Sequence, residues 1–231
     1  MKIAIISDIH GNIYALNEVL KDICKNDCEY ILCLGDYVNY YYWPNEVLDG
    51  LKKQKNIFFI KGNHEDMLFQ ALQDNDYKQK VKKRYGAGIE IAIDTISAEN
   101  MEFLSKMKAS QVLDIDNLKI AMFHGSPNAN DQYIYPDIPL NELDDIVKEN
   151  SDIILLGHSH HQFSIKHKHC LIINPGSVGQ SRDIKGLTSY TILNTKNKAI
   201  INRRLKYDTS PIMKKIIDIE YDYKNMLDKL C

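Results

Sequence analysis

No stretch of this chain approaches the eighteen or so consecutive apolar residues that a membrane-spanning helix needs, so no bilayer anchor is expected. Charge of one sign is not in excess either: 29 lysines and arginines face 31 aspartates and glutamates, for a net charge of −2 and a pI near 6.4. Without a basic stripe the chain has no general pull on a polyanion, which argues against a long nucleic acid as partner. Cysteine is scarce and unpaired in pattern: Cys24, Cys28, Cys33, Cys170 and Cys231 are odd in number. Cys24 and Cys28 share a helical i, i+4 spacing but have no second pair to complete a zinc site, so all five read as reduced core or surface thiols. Only Met1 and Lys2 precede the first apolar run, with none of the parts of a secretory leader, and a soluble cytoplasmic protein is therefore expected. Internal repeats and low-complexity linkers are missing as well. With 44% hydrophobic residues over 231 positions, the expectation is one domain spanning 1–231.

What the chain does have is a repeated coincidence. Five apolar, strand-like runs each stop at a residue able to bind metal: KIAIIS at Asp8 with His10, YILCLG at Asp36, NIFFIKG at Asn63 with His64, KIAMF at His124, and DIILLG at His158 with His160. A lone Asp-x-His is common by chance, and GHSH alone could be a turn with two solvated histidines. Five such endings together are another matter. In an α/β sheet the faces are covered by helices and the carboxyl edge stays open, so strand ends are where ligand sites form.

The periodicity between these runs supports that reading. Ile13, Leu16, Val19, Leu20 and Ile23 recur at helical spacing, predicting a helix over 12–25 and a β-α-β opening. A second unit follows, with a strand over 30–35, an aromatic loop over 37–43, a helix begun by Pro44 and a strand over 56–61. Residues 65–118 read as a strand-free helical insertion, with one helix over roughly 77–96 and another from Glu99 to Met107 capped by Ser97. Strands resume at 119–123 and 152–156, followed by hairpins over 163–173 and 188–205. A single C-terminal helix is expected over 209–231, its phase interrupted near Ile219.

At this point the residues carry a family resemblance. The series D8-x-H10, G35-D36, G62-N63-H64-E65, H124-G125 and G157-H158-S159-H160 resembles the calcineurin-like metallophosphoesterases. The stretches SDIHGNIYAL, PNEVL, FHGSP and NPGSVGQSRD are similar to the small bacterial and archaeal phosphodiesterase branch, and the likeness runs over about residues 1–206. The resemblance implies an α/β fold, a four-layer α/β/β/α sandwich of two mixed sheets. It further implies that Asp8, His10, Asp36 and His160 hold one metal ion, and that Asp36, Asn63, His124 and His158 hold a second, with Asp36 bridging. Carboxylate, amide and imidazole without thiolate suit two divalent transition-metal ions, manganese first, with iron, zinc or nickel also admissible. A small phosphodiester or nucleotide-like phosphoester would be hydrolysed by a water shared between the metals. Dinucleoside polyphosphates and phosphomonoesters are rival substrates, and a non-catalytic scaffold, like the retromer subunit of this fold, is the rival of another class.

His64 is implied to be catalytic, protonating the leaving alkoxide or bonding a phosphoryl oxygen; the plain alternative is a helix-start histidine tied to backbone. Phosphoprotein phosphatases of the superfamily carry an Asp and an Arg where this chain has Asn39 and Tyr40. Asn39 and Tyr41 are therefore candidate substrate-binding residues, and Arg182 could supply the missing phosphate-gripping cation or merely close a turn. The aromatics Tyr37 and Tyr40–Trp43 could stack a nucleobase, or could pack in the core or in a homo-oligomer. His161, His167 and His169 read as ordinary hairpin residues.

Overall fold

The structure, a computed structural model, describes residues 1–147, 151–220 and 223–230; Cys231 lies outside them. The first half runs β1 (Lys2–Ile6), α1 (Ile13–Lys25), β2 (Tyr30–Cys33), α2 (Pro44–Lys52), β3 (Ile57–Phe59), α3 (Asn63–Gln73), α4 (Asn75–Tyr85), α5 (Gly88–Thr95) and α6 (Ala98–Ser105). The second runs β4 (Ser110–Ile115), β5 (Leu118–Phe123), α7 (Leu140–Ile146), β6 (Ile153–Leu155), β7 (Gln162–His167), β8 (Cys170–Pro175), β9 (Thr188–Asn194), β10 (Ala199–Leu205), α8 (Ser210–Ile219) and α9 (Tyr223–Leu230).

Two mixed sheets of five strands form, in the orders β10-β9-β1-β2-β3 and β4-β5-β6-β8-β7. Their period-two side-chain alternation builds the layers. Ile3, Ile5, Leu32 and Leu34 from the first sheet meet Ile120, Met122, Ile153 and Leu155 from the second, forming the core between the sheets. The intervening residues Ala4, Ile6, Ile31 and Cys33 face the other way, onto Leu16 and Val19 of α1 and Val47 and Leu48 of α2. Ala121, Ile154 and Ile172 likewise face outward, onto Leu143 and Ile146 of α7. The result is the four-layer sandwich expected. Such fully buried side chains matter individually: truncating Leu155 to Ala should cost about 2–5 kcal/mol.

Topology then gathers the site. Strands β1, β2 and β3 are mutually parallel, and so are β5, β6 and β8, so three carboxyl ends of each sheet open on one edge of the sandwich. The two sets of loops are stitched together there. The amides of Val178 and Gly179, past β8, donate to the carbonyls of Ser7 and Asp8, past β1, both at 2.9 Å.

Four expectations need correction. Residues 65–118 are not strand-free, because β4 pairs antiparallel with β5 along the sheet edge. Only one side of β4 is covered, with Val112 44% exposed, so its hydrophobic signal is weak. The helix expected over 77–96 is broken into α4 and α5 at Gly86, whose φ of 94° a non-glycine residue rarely adopts. The C-terminal helix is two helices, separated after Ile219 where Glu220 turns extended. Helix α7 was not anticipated; it is short and has only Leu143 and Ile146 buried.

Candidate metal centre

Asp8, His10, Asp36, His158 and His160 share an unusual backbone conformation, each with φ between 51° and 63°. A left-handed residue just past a strand end reverses the chain abruptly, and aspartate, asparagine and histidine tolerate that region better than most side chains. Gly62 permits a close approach between neighbouring loops, for a Cβ there would lie 2.1 Å from Asp36 Oδ1.

The side chains so turned converge. Asp8 Oδ1 lies 3.2 Å from His160 Nε2 and 3.9 Å from His10 Nε2, and the two imidazole nitrogens are 3.1 Å apart. Asp36 Oδ2 lies 3.1 Å from His124 Nε2 and 3.8 Å from His10 Nε2, while Asn63 Oδ1 is 3.0 Å from His124 Nε2. Asp36, His124 and His158 form a second group of mutually close ligand atoms. All seven predicted ligands are buried and come together at this edge, with Asp36 between the two groups.

The far sides of these groups decide what the near sides can do. His10 Nδ1 is 3.2 Å from the Val38 carbonyl, His124 Nδ1 2.7 Å from that of Leu34, and His160 Nδ1 2.5 Å from that of Gln180. A carbonyl only accepts, so each Nδ1 carries a proton, and it is Nε2 that turns inward, with its lone pair free whenever the ring is neutral. The aspartates are oriented similarly. Asp8 Oδ2 accepts the His158 amide at 3.0 Å and Asp36 Oδ1 the His64 amide at 2.8 Å, leaving the other oxygen of each for the centre. Asp8 Oδ1, Asp36 Oδ2 and His158 Nε2 are buried and find no hydrogen-bond partner among the described residues.

Lone pairs facing lone pairs in a dry cavity repel unless a cation lies among them. The protonation equilibria tell the same story. Burial would raise the Asp8 and Asp36 carboxyls, yet the charges of His160 on Asp8 and of His124 on Asp36 hold both below the usual carboxylate range. Burial would lower His124, but the Asp36 carboxylate overrides it and pushes the imidazole up to about 10. His158 is lowered to about 4 by burial and by His124. A proton on His124 thus takes the place that a divalent ion would claim, and metal uptake should release it. The donor set fits two such ions.

His64 also lies close to His10 and Asp36, within the same cluster of ligand atoms, but its outer partner differs from theirs. Asn39 Oδ1 accepts the Tyr40 amide at 2.8 Å, so the Asn39 NH2 is the group facing His64 Nδ1, at 2.9 Å. Nδ1 therefore accepts, and the ring proton sits on Nε2, 3.9 Å from Asp36 Oδ2. Burial lowers the imidazolium pKa to about 4. Asn39 itself is fully buried with both ends of its amide engaged, so it supports His64 and does not reach a substrate. Tyr41 is also fully buried, packed with Tyr40 and Tyr42 against Ile212, Ile216, Met226 and Leu230 of the C-terminal helices. A ring without exposed surface cannot stack a base, so for Tyr41 the packing alternative holds, while Trp43 stays half-buried at the edge of the same cluster. The Arg182 guanidinium reaches the hydroxyl of Tyr40, whose ring packs edge-on against His10 at 4.7 Å, and a cavity of about 320 Å³ opens beside it, lined also by Gln180, Ser181, Lys185 and Asp228.

Glu65 was quoted in the sequence motif without a role. Its buried carboxylate accepts the amides of Asp36 at 2.9 Å, Tyr37 at 2.8 Å, Val38 at 3.3 Å and Gly62 at 2.8 Å, so it fixes the loop that carries the bridging aspartate. Burial and the Asp36 charge lift its carboxyl to about 7 against the pull of those amides. The available signal was a glutamate at the third position of a helix, where it reaches back to the capping amide.

Comparison with known proteins agrees with this picture. Residues 1–198 match the calcineurin-like phosphoesterase superfamily domain. The chain is 35% identical over 236 residues to an uncharacterized protein of Methanocaldococcus jannaschii, covering 93% of this chain and 91% of that one. It is similar in structure to a hypothetical protein of Pyrococcus horikoshii, with a TM-score of 0.84, 20% identity and coverage of 98% and 97%. A metallophosphoesterase of Sphaerobacter thermophilus superposes with a TM-score of 0.81 at 23% identity over the whole of both chains. With its motifs on one sheet edge and a family match over most of its length, the chain belongs to the calcineurin-like phosphoesterase superfamily.

Proposed function

We propose that this protein is a metal-dependent hydrolase of a small phosphodiester or nucleotide-like phosphoester. Asp8, His10, Asp36 and His160 would hold one divalent transition-metal ion and Asp36, Asn63, His124 and His158 the other. The observation that carries this reading is the convergence of ligand atoms on one buried edge, where backbone carbonyls hold the Nδ1 of His10, His124 and His160 so that Nε2 faces inward, and Asp8 Oδ1, Asp36 Oδ2 and His158 Nε2 have no hydrogen-bond partner among the described residues. Two carboxylates, four imidazoles and one amide favour manganese, with iron, zinc or nickel admissible. Bound there, such ions supply Lewis-acid polarisation of a phosphoryl oxygen and lower the pKa of water.

The remaining work falls to the chain. Glu65 and the His64 amide hold Asp36 in the orientation that both ions need. His64 presents Nε2–H to the site, and releasing that proton from a neutral ring would leave an imidazolate. Its role is therefore to donate a hydrogen bond to a phosphoryl oxygen, not to protonate the leaving group. Arg182 offers the guanidinium that grips the phosphate anion. The scaffold alternative is weakened by the same orphaned acceptors, since burying them costs stability and gives a purely structural protein nothing in return.

Reconstitution with manganese should load two ions per chain, measured by elemental analysis. The loaded protein should turn over members of a panel of phosphomonoesters, cyclic nucleotides, dinucleoside polyphosphates and bis-p-nitrophenyl phosphate. Asp36→Asn should lose both metal and turnover, whereas His64→Ala should keep the metal and lose turnover equally for good and poor leaving groups. A loaded wild-type protein inert toward the whole panel would refute the proposal.

A further inference from the structure

Tyr133 and Tyr135 remain 43% and 39% exposed although they sit beside the buried centre. Their placement follows from the local sequence Tyr-Ile-Tyr. Ile134 is only 2% exposed, packed in the cluster under α7, while both flanking tyrosines turn to the outer side. There the two rings are nearly parallel, 6° apart in plane with centroids 5.8 Å apart. Tyr133 lies 4.1 Å, centroid to centroid, from the His158 imidazole, and the Arg182 guanidinium stands 6.0 Å from its ring centre. Tyr135 is braced edge-on by His161 at 5.1 Å. An ordered aromatic shelf thus begins at a metal ligand and continues outward into solvent.

We propose that Tyr133 and Tyr135 form a subsite that stacks a planar ring of nucleobase type, carried on the substituent of the phosphoryl group bound at the metal centre. The inference rests on the phosphoesterase reading and names the substituent that reading leaves open. Position favours it, since a group attached to a phosphoryl between His158 and Arg182 has the Tyr133 ring as its neighbour. Preorganisation favours it too: each ring is already fixed by a second aromatic contact, so little side-chain freedom is lost on binding. Every base has a π-face, so such a shelf selects for a ring without dictating which base. The loop aromatics Tyr40, Tyr41 and Tyr42 are buried and cannot serve.

The test compares AMP with ribose 5-phosphate, which share a phosphate and differ by the base, as ligands of the manganese-loaded protein by calorimetry. Tyr135 is varied because Tyr133 leans on a ligand. Wild type should bind AMP more tightly, and Tyr135→Ala should reduce that preference by about five- to a hundredfold while leaving ribose 5-phosphate affinity and metal content unchanged. Tyr135→Phe should retain the preference. Equal affinity of wild type for the two ligands, or a preference that survives in Tyr135→Ala, overturns the inference. So does a change of oligomeric state by light scattering with the preference intact, which would make the shelf a contact between copies. If neither ligand binds a fully loaded protein, the phosphoesterase reading itself has failed.

Discussion

Replacing Gly62 with alanine tests the geometry of the centre with a single added methyl group. A Cβ at this position would sit 2.1 Å from Asp36 Oδ1, 2.7 Å from the Asp36 nitrogen and 2.8 Å from its carboxyl carbon. Gly62 has φ −96° and ψ −175°, an ordinary extended conformation, so alanine brings no backbone strain and the effect is steric. Relieving the overlap requires the loops to part by more than about 1 Å, and Asp36 must rotate or retreat. Overpacking of this kind costs about 1–3 kcal/mol. In a chain of this size that lowers the Tm by roughly 2–12 °C. Metal binding should suffer more, because Asp36 would serve both ions of the proposed centre: manganese affinity should fall by about ten- to a hundredfold. Gly50→Ala is the matched control. Its Cβ would meet only Ile13 Cδ1 and Leu16 Cδ2, at 4.0 Å, within helix α2, so it should stabilise by about 0.5–1 kcal/mol and leave metal binding alone. Thermal melts of the metal-free proteins and manganese titration calorimetry give both quantities. A Gly62→Ala protein that binds two manganese ions with wild-type affinity would refute the assignment of Asp36 as the shared ligand.

Two further outcomes are expected. Asn39→Asp replaces the donor facing His64 Nδ1 with an acceptor, which should move the ring proton to Nδ1 and favour the imidazolium; the pH–rate profile should gain a limb near neutrality, and esters with poor leaving groups should gain relative to p-nitrophenyl esters. Asp22 is held below the usual carboxylate range chiefly by its hydrogen bonds from Arg203, at 2.8 and 3.0 Å. A lowered carboxyl pKa stabilises the fold above the unfolded value near 3.9 and loses that contribution as the pH drops through the lowered one. Arg203→Met should therefore cost about 1 kcal/mol in urea melts at pH 7 and a smaller amount at pH 3; an equal cost at both would show that the arginine acts by packing alone.

The convergence of the proposed ligands was legible in the sequence because each follows an apolar run, and in parallel sheets the run and its ending are adjacent in the chain. Asp8, Asp36, Asn63, His124 and His158 needed no long-range information to be placed at strand ends. Side-chain direction around them did need it. Asn39 was expected on the substrate and instead supports His64, which depends on the Tyr40 amide occupying Asn39 Oδ1. Tyr41 was hidden by a helix pair more than 160 residues away, whose Ile212 and Ile216 cover the loop. Strand β4 escaped because an edge strand with one face in water has little hydrophobic signal. The Tyr133–Ile134–Tyr135 pattern was in plain view, but only the burial of Ile134 reveals that both tyrosines turn outward.

The left-handed backbone at Asp8, His10, Asp36, His158 and His160 also limits which elements the site can be bred to prefer. Aspartate, asparagine and histidine are the side chains that enter this region most readily, and they are also hard or borderline donors. Chain conformation and ligand hardness are therefore coupled. Cysteine, five times present in this chain, would bring strain as well as sulfur to any of those positions. Asn63 and His124 are the two proposed ligand positions outside the left-handed region. A drift toward a softer, thiolate-bound ion has its least obstructed route through residues 63 and 124, while the other five positions hold the centre to oxygen and nitrogen chemistry through the Ramachandran map.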